Sequence, residues 1–153
     1  MAANKELVVL DKLLEALHHK ADMLYSVFLH NNGNGDFGIK KLPWQSQLPP
    51  LNDFEFVDIN NDGTNEIIIV GNLYNVEVET QRYDASIGAV FNFIEGEFVD
   101  IHSKDTGFFT TGDAREIISI DGNAKKILIV TNNNGPLDVF EILQKQEPGL
   151  SSL

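Results

Sequence analysis

From residue 5 onward the apolar positions step by three and four. Leu7, Leu10, Leu14 and Leu17 form the stripe, and Ala21, Leu24 and Phe28 continue its register. This spacing predicts one amphipathic N-terminal helix over residues 5 to about 20, with Asn4 as N-cap and Glu6 in the first turn. The helix is expected to end before Tyr25 and to dock its stripe on the body of the domain. A coiled-coil seam between subunits is the alternative, although three heptads are few for one.

Beyond Tyr25 the pattern changes to short apolar or alternating runs separated by Asn, Asp and Gly. Tyr25 to His30 and Phe37 to Leu42 flank Asn31-Asn32-Gly33-Asn34-Gly35-Asp36, a run that tolerates positive φ and predicts a hairpin turn. Phe54 to Val57 alternates, and Glu66 to Val70 reads as a buried strand. After a long polar stretch, Asn72 to Ser86, come two more hairpins. One pairs Ile87–Ile94 with Glu97–Ile101, the other Glu116–Ile120 with Lys126–Val130. Leu137 to Leu143 is the last strand, and residues 144–153 read as a frayed tail. Roughly nine short strands with regularly spaced turns predict a mainly β, antiparallel architecture, with repeated four-stranded units of propeller style.

Composition narrows the function classes. The chain has 153 residues, 42% of them apolar, so it is long enough to bury a core. With 11 basic and 23 acidic residues its net charge is -12, which repels phosphate backbones and anionic lipid and argues against nucleic-acid or membrane-surface binding. Cysteine is absent, which removes disulfides and thiolate metal sites. No run approaches the ~20 apolar residues of a membrane span, and no signal peptide is visible.

One segment carries specific chemistry. In Asp58-Ile59-Asn60-Asn61-Asp62-Gly63-Thr64-Asn65-Glu66, oxygen-bearing side chains fall at positions 1, 3, 5 and 9, with glycine at 6. Calcium takes roughly six to eight oxygen ligands. Asp58, Asn60 and Asp62 can point to one centre, the Thr64 carbonyl can join at position 7, and Glu66 closes the shell. An EF-hand is excluded: its position 12 would be Ile69 rather than Glu, and both flanks read as strands. A calcium loop between two strands remains, set against an Asx-rich turn that binds nothing.

The stretch from Phe56 through Asp58, Asp62, Gly63 and Glu66 to Gly71 resembles the FG-GAP/VCBS-type repeat of integrin-like β-propellers. In particular it resembles the C-terminal blades of ASPIC/UnbV-associated bacterial cell-envelope proteins. Phe28–Phe37, Leu42–Leu48, Gly71–Tyr74, Arg82–Ala85 and Asn132–Glu141 look like further parts of that family, in order, so the resemblance covers about residues 20–143. It implies a non-catalytic, calcium-stabilised scaffold that presents interaction surfaces, in the cell envelope or outside the cell. The expected organisation is a helix over 1–22, a β domain over 23–143 and a flexible tail over 144–153.

A closed propeller needs about four to eight blades, whereas these strands make two to three partial ones. The exposed edges would be covered by the N-terminal helix, by several chains closing one ring as a homo-oligomer, or by merging of the partial blades. A carbohydrate-active enzyme or a lectin-like glycan-binding module is the alternative function.

Other candidates are weaker. His18, His19, His30 and His102 lack a shared direction, and Ser46, Ser86 and Ser103 lack a nucleophile context. Gly33-Asn34-Gly35 opens no helix, so a dinucleotide reading fails. Arg82 is expected to pair with Asp84 and pin the 72–86 loop. Trp44, following Pro43, reads as a core anchor rather than a sugar-stacking platform.

Overall fold

A computed structural model of the chain describes residues 16–17, 19–122 and 125–143. Strands β1 (Val27–Gly33) and β2 (Asp36–Lys41) form a two-stranded sheet. Strands β3 (Leu51–Val57), β4 (Glu66–Gly71), β5 (Ala89–Ile94) and β6 (Glu97–Ile101) form a four-stranded sheet in chain order. Strands β7 (Ala114–Asp121), β8 (Lys126–Asn132) and β9 (Asp138–Ile142) form the third. Every pairing is antiparallel. The fold is mainly β, and each expected strand is present within a few residues of its expected bounds. Among the described residues, helix is confined to a 3-10 turn at Trp44–Gln47 and a single turn, α1 (Ser103–Thr106).

The expected N-terminal helix falls mostly on residues 1–15 and 18, outside the described residues, as does the tail over 144–153. Where the stripe can be followed, at residues 16–17 and 19–24, the chain is not helical. Leu17 and Leu24 are 81% and 90% exposed, so neither docks on the domain. An amphipathic segment draws most of its helical stability from packing, and here that packing is missing. Phe28, which continued the helical register, belongs to β1.

The four-stranded sheet is the middle layer of a stack. Strand β4 is buried at all six positions, because both of its faces are covered. On one face Val57, Ile68, Val70 and Val90 pack against Ala114, Ile117, Leu128, Val130 and Ile142 of the three-stranded sheet. On the other, Ile67, Ile69 and Phe91 form a second cluster with Phe93 and Phe98. Phe28 of β1 joins it, with ring centroids 5.4 Å from Phe93 and 5.7 Å from Phe98. Lys40 of β2 reaches Glu97 of β6 at 2.5 Å.

The stack ends unevenly. The β1–β2 hairpin meets the face of the second cluster through β5 and β6, at Phe93, Phe98 and Glu97. Phe54 and Phe56, opposite Ile69 and Ile67 on the same face, remain 57% and 47% exposed. At the other end, Ile118, Ile120 and Val139 are exposed on the outer face of the three-stranded sheet. Side chains close the seam between β3 and β7. Asp53 Oδ2 accepts from the Ile117 amide at 2.9 Å, and Glu55 Oε1 accepts from the Ser119 amide at 3.0 Å and from the Ser119 hydroxyl. These amides sit on the edge of β7 away from β8, its one strand partner among the described residues.

Candidate functional site

The loop between β3 and β4 is pinched at its neck by the Val57–Glu66 pair. The chain can reverse there because Asn61 and Gly63 adopt positive φ, 57° and 89°. The side chains expected to bind metal turn into this loop. Asp58 accepts from the Asp62 amide through Oδ1 (3.1 Å) and from the Gly63 amide through Oδ2 (2.8 Å). Asn60 Oδ1 also accepts from the Asp62 amide, at 2.8 Å. Asp62 Oδ1 accepts from the Thr64 amide at 2.8 Å, which sets Thr64 at the closing side.

Glu66 is the unusual member. As the first residue of a fully buried strand it has 0% exposure. Its Oε2 accepts from the Ile59 amide and its Oε1 from the Asn60 side-chain amide, both at 2.9 Å. Burial pushes the Glu66 carboxyl above the usual carboxylate range. The Ile59 amide opposes that shift, and the negative charges of Asp62 and Asp58 add to it. Asp58, Asn60, Asp62 and Glu66 are thus joined in one hydrogen-bonded loop. Asn61 fixes the outside of the loop by donating to the Leu143 carbonyl at 3.0 Å.

The donors are hard oxygens, suited to calcium in kind. In the geometry described, the Asp58 and Asp62 carboxylates engage loop amides. Among the described residues, no three His, Cys, Asp or Glu side chains are gathered as a metal-holding group.

The 72–86 segment is irregular but tied down. Leu73 and Tyr83 form an isolated bridge, and the Asn72 side chain donates to the carbonyls of Ser86 (3.0 Å) and Gly112 (2.9 Å). Arg82 pairs with Asp84 at 2.9 Å, as expected, and lies 4.5 Å above the Tyr74 ring. Nearby Asp113 is buried. Burial pushes its carboxyl up, but hydrogen bonds from Asn133 and Arg115, with the Tyr74 amide, outweigh that and hold it below the usual range. Only the asparagines and the Thr-Gly-Asp sequence hinted at this polar junction.

Trp44 is a correction. It is 68% exposed, at the mouth of a cleft, and anchors no core. Its 3-10 turn leaves the buried position to Ser46. Of the histidines, His18 lies outside the described residues, His30 stacks beside Phe28, and His102 Nδ1 lies 3.4 Å from Asp100 Oδ2. Among the described residues no helix is long and apolar enough to cross a membrane. No family model, curated protein or solved structure matches this chain.

Proposed function

We propose that this protein is a non-catalytic calcium-binding module of β-propeller type, serving as a structural and interaction scaffold in a cell-envelope or secreted protein. The observation that carries this reading is the buried Glu66 carboxylate at the neck of the 58–66 loop, raised in pKa beside Asp58 and Asp62. A buried carboxylate is costly unless a charge partner compensates it. A divalent cation held by Asp58, Asn60, Asp62 and Glu66, with the Thr64 carbonyl, would supply that compensation. It would also tie the end of β3 to the start of β4.

The stacked sheets support the scaffold half of the proposal. Both ends of the stack carry exposed apolar side chains, Phe54 and Phe56 at one and Ile118, Ile120 and Val139 at the other. Such faces are what further sheets of the same kind cover. In this reading a second copy of the chain supplies them, closing the partial blades as a homo-oligomer.

The test is mass by light scattering on one sample divided between EDTA and millimolar calcium. A multimer that falls apart in EDTA supports calcium-dependent assembly. A monomer in both halves, with a melting temperature indifferent to calcium, overturns the proposal.

A further inference from the structure

We infer that the cleft beside Trp44 is a carbohydrate-binding site, separate from the 58–66 loop and not dependent on calcium there. The cleft holds about 390 Å³, within the size range of small-ligand sites. Its mouth is formed by the 3-10 turn carrying Trp44, and its walls by the segment entering β5 and by the end of β6.

Three features select the ligand class. The indole of Trp44 is 68% exposed, a flat apolar surface left in water in a chain with one tryptophan. Polar groups also line the cleft: Asp100, with a third of its side chain exposed and paired to His102, and Ser103. The floor is apolar, from buried Val90 and Phe108. A ligand that fits must have one flat apolar face and a rim of hydroxyl groups. A pyranose ring has both: its C–H face stacks on indole, and its hydroxyls donate to a carboxylate.

Electrostatics narrow the class further. The -12 net charge and the Asp100 carboxylate disfavour phosphorylated or uronic sugars and favour neutral or amino sugars. A quaternary ammonium would need an aromatic cage, and here the lining has one exposed ring, Trp44, and one buried ring, Phe108.

The cleft wall is also built to stay thin. Gly88 has φ +76°, and a Cβ there would lie 2.5 Å from Phe108 Cε1. The Gly88 amide is held by Ser86 Oγ at 3.0 Å, and Ile87 O accepts from the Thr110 amide at 3.0 Å. The wall is therefore fixed before any ligand arrives, which lowers the ordering cost of binding.

Because Trp44 is the sole tryptophan, its fluorescence reports on this cleft alone. The experiment titrates the full chain with a panel of methyl glycosides and short oligosaccharides of neutral, N-acetylated, amino and uronic type. Isothermal calorimetry on the same samples measures Kd. The expected result is a saturable emission shift with at least one neutral or amino sugar. Trp44→Ala should abolish the heat of binding, Trp44→Phe should retain part of it, and Asp100→Asn should weaken it by about tenfold or more. Melting temperatures of the two Trp44 variants should match that of the parent, since Trp44 is exposed, and Asp100→Asn, which keeps the shape of the side chain, should stay folded with a melting temperature close to the parent's. EDTA should leave the Kd unchanged, which separates this inference from the calcium proposal. Absence of saturable binding across the panel overturns the inference. So does binding that survives both Trp44→Ala and Asp100→Asn, or a preference for uronic sugars.

Discussion

Replacing Glu66 by Gln should reverse the order of stability between the parent and the variant when calcium is added. In EDTA at neutral pH the parent must keep a carboxylate fully buried beside Asp58 and Asp62. The glutamine keeps the shape and one carbonyl acceptor. It can still accept from the Ile59 amide but loses the second acceptor that Asn60 uses. Losing one hydrogen bond costs about 0.5–1.5 kcal/mol, and removing a charge whose burial is unfavourable opposes that loss. The two proteins should therefore melt within a few degrees of each other in EDTA, with the variant equal or higher. Calcium at a hundredfold excess over Kd stabilises the parent by about 2.7 kcal/mol. For a chain of this size that is a rise of about 5–11 °C. The variant, lacking a ligand charge, should gain little. Differential scanning calorimetry on both proteins, with and without calcium, reads all four values. If calcium raises both melting temperatures equally, Glu66 is not a ligand and the argument from its burial fails.

Three further outcomes follow from the packing. Phe91→Ala removes a ring with 0% exposure from the apolar cluster it shares with Ile67 and Ile69 and should cost about 3–5 kcal/mol, read as a lower urea midpoint at unchanged m. Gly71→Ala would set a Cβ 2.0 Å from the Pro50 carbonyl oxygen, a backbone clash that must move the β3–β4 end. It should cost about 1–3 kcal/mol or more by thermal melting, whereas the open Gly63→Ala site should cost about 1–2 kcal/mol of backbone strain alone. Asp113 has a carboxyl held below its ordinary value of 3.8. The stability it contributes is therefore present above that value and lost as pH falls through the lower folded one. Asp113→Asn should flatten the melting-temperature profile in the most acidic range and leave its slope above pH ~5 unchanged.

Much of the β framework is legible because its local signals agree. Ile67–Val70 is apolar without alternation, which is how a strand covered on both faces reads, and β4 is that strand. The hairpin turns carry Asn and Gly at most positions of positive φ: Asn34 and Gly35 between β1 and β2, and Gly96 between β5 and β6, where Glu95 also adopts positive φ. What alternation cannot say is which face finds a partner. In β3, Phe54 and Phe56 are exposed while Asp53 and Glu55 are half-buried at the β7 seam. The hydrophobic pattern marks two faces, and tertiary coverage decides their fate. The same holds for the Leu17–Leu24 part of the stripe, whose spacing is helical but whose side chains have nothing to rest on. The Asx and Gly spacing at 58–66 is also that of a self-bonded turn, and in the geometry described Asp58, Asn60 and Asp62 accept from loop amides while Asn60 also donates to Glu66. The burial of Glu66 follows from β4 lying in the middle layer, and a linear pattern does not record that. Tryptophan is usually well buried, so Trp44 reads as an anchor from the sequence. The 3-10 turn rotates it outward.

The carboxylates of Asp53 and Glu55 take the place of an absent neighbouring strand. A bare edge is a template on which other chains can polymerise. Here two of its donors, at Ile117 and Ser119, are quenched by acids from another sheet, and the quenching lasts only while the two sheets stay together. Any fluctuation that parts them uncovers a sticky margin and the apolar interior at once. Protection of this edge against such pairing thus resides in the sheet–sheet junction rather than in strand β7 itself.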